Sequence, residues 1–365
     1  MLAQAYIGAG RPADALTHLR RITEIAPRLP AGWYALGHAY NAVTQDAMST
    51  FEAEPEDSPW RQLLVADALL ADGRLTDAFA NYRAVLDRLP SMVTIHDSVA
   101  RIYEQTSHSD WAARERPMGA LPAAACARRR ALCEFRAGRH RAALIAALAG
   151  DDVESRYWRA RASTELTLAA FKRLESLPAS RERQEMRAAL ARAERRHSDA
   201  IEEIKGALKF APADPDLLDD LGTSYYLARD FDRAVATLLP LLEANPDDPR
   251  LLTVSAEALV QLQRLEEALP MLQRAVKLDP SDPTPRLALG RALVQTGNYG
   301  DAIPLIEPQL PGDRDGSLHV QLARAFTGLG QRDRAAALLE RSQEIQRAAQ
   351  EQSAATARRT ITPPK

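Results

Sequence analysis

Apolar positions in this chain recur every three to four residues in stretches of a dozen or so. In DPDLLDDLGTSYYLARDFDRAVATLLPLLEANP, Leu218, Leu221, Gly222 and Tyr225 share one helical face, and Phe231, Ala234, Leu238 and Leu241 share another. Arg229–Asp230 marks the turn between them. Asp214 suits the N-cap of the first helix and Pro215 its first turn. No β-branched alternating run stands between turn signals, so the pattern predicts an all-α chain.

The helix pair repeats. The small residue at the front of each second helix falls at Ala200, Ala234, Ala268, Ala302 and Ala335, spacings of 34, 34, 34 and 33. Pro212, Pro246 and Pro280 keep the same beat, and Asp248-Pro249 and Asp282-Pro283 repeat the opening signal of Asp214-Pro215. Gly297 and Gly330 stand where a helix C-terminus calls for a left-handed residue. A lone helix pair cannot bury its apolar face, so a fixed period means stacked pairs sharing one continuous core. Gly222, Gly290, Ala234 and Ala268 are the small residues that let neighbouring helices approach.

These residues resemble the tetratricopeptide repeat, whose pattern is W-x2-L-G-x2-Y, then A-x3-F, then P. WYALGHAY at Trp33–Tyr40 matches the first part, and Ala78, Tyr82 and Pro90 match the rest. The resemblance implies an all-α, right-handed α-solenoid of stacked antiparallel helix pairs, and the Arg-rich, Lys-poor composition suggests a GC-rich bacterium.

The first half is less regular. Repeat-like units end at Pro27 and Pro90, 63 residues apart, so the unit between them is shortened. The same shortened unit recurs: Tyr34 aligns with Tyr157, Ala47-Met48 with Ala170-Phe171, and Pro55 with Pro178, all at offset 123, which predicts an internal duplication. Thr44 and Ser163–Glu165 are the candidates for a tight turn inside each copy, the alternative being one continuous helix. Pro117, Gly119 and Pro122 interrupt the periodicity between the copies. The expected organisation is therefore 1–116, an N-terminal repeat segment; 117–150, an irregular joint with a degenerate repeat; 151–350, a C-terminal repeat segment with a capping helix; and 351–365, a disordered tail. Leu2-Ala3, Tyr6, Gly10, Ala15 and Pro27 occupy successive repeat positions, so the chain is expected to begin inside a first helix, with earlier repeats preceding Met1.

Bulk chemistry narrows the function. Net charge is -2, which offers no global field for nucleic acid or membrane. The basic runs at Arg128–Arg130 and Arg195–Arg196 lack interleaved aromatic residues, so base-stacking platforms are not expected. No apolar run reaches the roughly 20 residues of a membrane span, and no charged lead followed by an apolar stretch marks a signal peptide. The default location is cytoplasmic; a signal preceding Met1 would make it periplasmic or exported. Cys126 and Cys133 are seven apart, roughly 10 Å along an unbroken helix, so they are read as two buried small residues rather than a disulfide.

The motifs of catalysis are missing: no Gly-rich phosphate loop, nucleophile elbow, paired-cysteine motif or HExxH occurs. Seven histidines are scattered, with none at i, i+4 spacing to another His or Cys, and Asp216, Asp219 and Asp220 lack the spacing of a calcium loop. The reading is a non-enzymatic scaffold without cofactor or metal. The alternative is the repeat portion of a larger enzyme or cell-envelope or secretion assembly factor. The resemblance implies a concave groove lined by the first helices, at the second, fifth, ninth and twelfth places of each. Those places include Asp216, Asp219, Thr223 and Tyr226; Arg250, Thr253 and Glu257; Thr284, Arg291 and Val294; and Arg324 and Thr327. The series runs from acidic to basic. Arg291 and Arg324 are the expected grips for a carboxylate or acidic side chain of a protein or peptide partner. Lys and Asn, which clamp a C-terminal carboxylate in some members of the family, are absent from these places.

Overall fold

The computed structural model describes residues 6, 9, 11–55, 57–121, 123–357 and 359–364. Every regular element among them is helical. The chain forms two compact units, 1–178 with 355–365, and 179–354. Of the expected truncated first helix, only Tyr6 and Ala9 are described; Leu2, Ala3 and Gly10 lie outside the described residues.

The unit 179–354 is a right-handed stack of helix pairs. These are α11 (Arg181–Ala193) with α12 (His197–Leu208), α13 (Pro215–Leu227) with α14 (Phe231–Ala244), α15 (Pro249–Gln261) with α16 (Leu265–Leu278), α17 (Pro283–Gln295) with α18 (Tyr299–Ile306), and α19 (Ser317–Gly328) with α20 (Arg332–Ala357). Asp214, Asp248 and Asp282 each cap a first helix, accepting backbone N–H bonds through the side chain, with Pro next in sequence. The turns are equally regular. Arg195, Arg229, Gln263, Gly297 and Gly330 all have φ between 57° and 78°, so the left-handed position recurs whether or not it holds glycine. In each turn the following N–H bonds to the carbonyl five residues back, as Asp230 does to Tyr225 and Asn298 to Leu293, satisfying a helix end. Ala234, Ala268 and Ala302 are fully buried. A Cβ on Gly222 would come within 2.5 Å of the Leu238 side chain, and one on Gly290 within 2.7 Å of Ile306. Those glycines set the distance between the two helices of a pair.

The first unit comprises α1 (Pro12–Ile25), α2 (Pro30–Ser49), α3 (Pro59–Ala71), α4 (Leu75–Arg88), α5 (Thr94–Gln105), α6 (Ser109–Glu115), α7 (Ala123–Cys126), α8 (Arg130–Arg136), α9 (His140–Leu148) and α10 (Val153–Glu175). The two copies of the shortened unit are single helices, α2 and α10, so neither contains the tight turn. They pack on each other in antiparallel fashion. Thr44 and Ser163, the turn candidates, meet at the crossing through their hydroxyls at 2.7 Å. Thr44 also bonds back to the Tyr40 carbonyl and Ser163 to that of Arg159. Polar residues in an apolar stretch thus mark a buried crossing rather than a loop. The helix α10 also packs on α3, α8 and α9.

Three expectations change here. The segment 117–150 lies inside the first unit, held by the packing of α8 and α9 on α10, and the division falls instead at 178/179. Cys126 and Cys133 form a disulfide with Cα atoms 5.6 Å apart. The helix expected to separate them is broken between α7 and α8, where Arg128 and Arg129 both bond back to the Ala125 carbonyl. The Arg129 side chain leaves to bind the Ser91 carbonyl and Glu154. Finally, the tail expected to be disordered is helical to Ala357, and residues 359–364 run without regular structure along the first unit, where Ile361 packs on its core.

Candidate functional site

The first helices α13, α15, α17 and α19 carry the predicted groove positions, and several of those residues meet. Arg250 on α15 binds Asp219 on α13, whose other oxygen accepts from Thr223 at 3.4 Å. The Tyr226 hydroxyl donates to Glu257 at 3.0 Å, and Arg291 approaches the other Glu257 oxygen at 3.8 Å. Burial, then the Glu257 carboxylate, pushes Tyr226 up to about 12, so it stays a donor at neutral pH. The expected gradient from acid to base is thus compensated in steps from one helix to the next.

The other predicted positions divide between the core and the surface. Thr253 is buried and its hydroxyl donates to the Pro249 carbonyl at 2.6 Å, and Val294 is buried in the core. Asp216 and Thr284 sit exposed in the first turns of their helices, where their N–H groups serve the caps Asp214 and Asp282. Arg324 and Thr327 are exposed on α19. Thr327 donates to Ala323, and Arg324 forms no ion pair or hydrogen bond among the described residues. The pattern omitted Arg192, which grips Asp220 from α11. Only the stacking of successive pairs brings that residue to Asp220.

The first unit holds a second concavity, about 510 Å³ in volume. At its floor Asp67 accepts from the Tyr82 and Tyr157 hydroxyls, both at 2.7 Å, and lies 3.2 Å from Arg161. The Arg161 guanidinium sits 5.4 Å over the Phe135 ring. Burial, and after it the Asp67 charge, pushes both tyrosines above their ordinary range. Their protons are committed to Asp67, so neither serves as a base at neutral pH. Arg136 pairs with Asp97 at 2.9 Å on the wall, beside Arg101, His140 and Glu165. A 67–161 pairing has no local signature, because its members come from α3, α4 and α10. No group of His, Cys, Asp or Glu suited to a metal ion occurs among the described residues.

Helix hairpins stacked at a near-constant period and turned alike, with polar side chains on each first helix, define a solenoid fold. Residues 220–283 and 259–319 match the tetratricopeptide repeat family, and the chain is a tetratricopeptide-repeat protein. No curated protein matches it at a significant level. Among solved structures, MamA of strain MSR-1 is 23% identical over 46% of this chain and 98% of its own, with a TM-score of 0.40. YrrB, described as a TPR protein with an unusual peptide-binding site, is 23% identical over 44% of this chain and 82% of its own, at 0.37. TTC0263, a thermophilic TPR protein of Thermus thermophilus, is 21% identical over 49% and 97%, at 0.39. Likeness at this level says nothing of what the present chain binds. No described helix is long and apolar enough to cross a membrane.

Proposed function

We propose that the chain is a non-enzymatic scaffold that receives a protein or peptide segment along α13, α15, α17 and α19. The observation that carries this reading is the state of the groove charges. Asp219 and Glu257 are already held by Arg250 and Arg291, while Arg324 stands exposed on α19 with no ion pair among the described residues. A ligand acidic at one end gains a charge-assisted bond at Arg324 without displacing an internal partner. At Arg291 it must compete with Glu257, which is 3.8 Å away. The partner is therefore a protein segment with a carboxylate or acidic side chain seated toward α19.

The test compares recovery of partner proteins by the wild-type chain and by the double variant Arg291→Glu, Arg324→Glu. Loss of the specific partners, with Arg324→Glu alone accounting for most of it, is the expected result. Undiminished recovery by the double variant overturns the reading.

A further inference from the structure

We propose that the surface of the first unit around Tyr103 and Asp77 is a docking site for an extended peptide, and that residues 359–364 occupy it as an exchangeable stand-in for a partner segment. The partner's chemistry follows from the contacts: a basic residue, a β-branched apolar residue two positions on, and prolines after that. This site lies in the other unit from the groove of α13–α19 and does not depend on that reading.

Three features of the seated segment, Arg359-Thr-Ile-Thr-Pro-Pro364, are each read by a different group. The Tyr103 hydroxyl donates to the Thr362 carbonyl at 2.7 Å, a main-chain contact that any extended peptide offers. Burial, and then the Glu115 carboxylate, pushes Tyr103 up to about 12, so it is a donor throughout the neutral range. Ile361, like Trp111, packs against the core cluster that contains Tyr103 and Phe79. Arg359 pairs with Asp77 at 3.5 Å, and the Asp77 Oδ1 that faces it is buried and has no hydrogen bond of its own among the described residues. The other oxygen, Oδ2, is already held by Arg74 at 2.7 Å, so Oδ1 is the atom left for an incoming cation. Pro363 disfavours helical backbone at Thr362, and neither Pro363 nor Pro364 brings an N–H that needs a partner.

The same contacts explain why the segment can leave. One hydrogen bond, two apolar side chains (Ile361 and the buried Pro364) and an ion pair whose arginine is 45% exposed are few for a segment with no regular structure of its own. Weakly held segments of this kind open locally without unfolding what they cover. The fit is also incomplete. A recess of about 480 Å³ remains between Gly73–Asp77 and Thr106 on one side and Thr356 and Arg359 on the other. A partner with a larger side chain near its basic residue fills space that the chain's own segment leaves open.

The test uses a fluorescein-labelled peptide of residues 356–365, TARRTITPPK, and fluorescence anisotropy. It is titrated with the full chain, with the full chain carrying Arg359→Glu and Ile361→Asp, and with that variant also carrying Tyr103→Phe. A tethered segment competes at an effective concentration near millimolar. The double variant should therefore bind the peptide at least tenfold more tightly than the wild type. Removing the Tyr103 hydroxyl should weaken binding to the double variant about fivefold, the value of one net hydrogen bond. Absence of binding to the double variant, equal binding by it and the wild type, or indifference to Tyr103→Phe each overturns the proposal. Ile361→Ala is measured in parallel by thermal unfolding. If both it and the double variant lose the native signal, the segment is a fixed part of the core and the proposal also falls.

Discussion

Gln263 stands at φ 60° in the turn between α15 and α16, the place that Gly297 and Gly330 occupy in the next two turns. A side chain there crowds its own carbonyl, a cost of roughly 1–2 kcal/mol that glycine avoids, partly offset by the greater freedom glycine has when unfolded. Gln263 is exposed. Gln263→Gly should therefore stabilise the second unit by about 0.5–1 kcal/mol. In urea denaturation followed by far-ultraviolet dichroism, the unit's midpoint should rise with no change in slope. An unchanged or lower midpoint would show that Gln263 makes compensating contacts. At this scale the sequence was partly legible. Gly297 and Gly330 declared the turn through their composition, whereas Arg195 and Gln263 reveal it only through the 34-residue phase, because tertiary stacking imposes the conformation on whatever residue is there.

Among elements, the crossing of α2 with α10 has no counterpart in a regular repeat. A Cβ on Gly37 would come within 2.2 Å of the Phe171 ring, so the two helices touch through a glycine and an aromatic face. Gly37→Ala should cost about 1–3 kcal/mol by overpacking. In a Phe171→Leu background the cost should shrink by more than about 0.5 kcal/mol, the sign of direct coupling. Tryptophan fluorescence during urea unfolding measures both. Equal costs in the two backgrounds would mean that α2 shifts away from the ring instead. Offset 123 announced that these elements are related. That the partner is the other copy, α10, was not legible. Local periodicity states which face is apolar but not which distant face covers it.

Across the whole molecule, the two units can be followed separately. All four tryptophans, at 33, 60, 111 and 158, belong to the unit 1–178, so fluorescence reports that unit and helical dichroism reports both. The Cys126–Cys133 bridge lies in the same unit. Opening it frees a short loop in the unfolded chain, worth about 2–3 kcal/mol by chain entropy. Reduction should lower the fluorescence midpoint in urea and leave the remaining dichroism transition, that of 179–354, in place. A shift of both transitions would mean the units do not unfold independently. Thiols stay reduced in a cytosolic setting, so this increment is also what the first unit forgoes there.

The fold class, the period, the Asp-Pro caps and the close-approach glycines at 222 and 290 were all determined by the sequence alone. Each follows from local preference or from a spacing that repeats until chance is excluded. The tertiary structure decided which charges on the first helices pair with one another, leaving Arg324 exposed and without an ion pair among the described residues. It also joined Asp67 to tyrosines from α4 and α10, bridged two cysteines that a straight helix would have held apart, and seated residues 359–364 on Tyr103. Those outcomes depend on segments far apart in the chain meeting in space. A pattern of period 3.6 describes a helix face and cannot specify its neighbour, so only the packed structure could supply them.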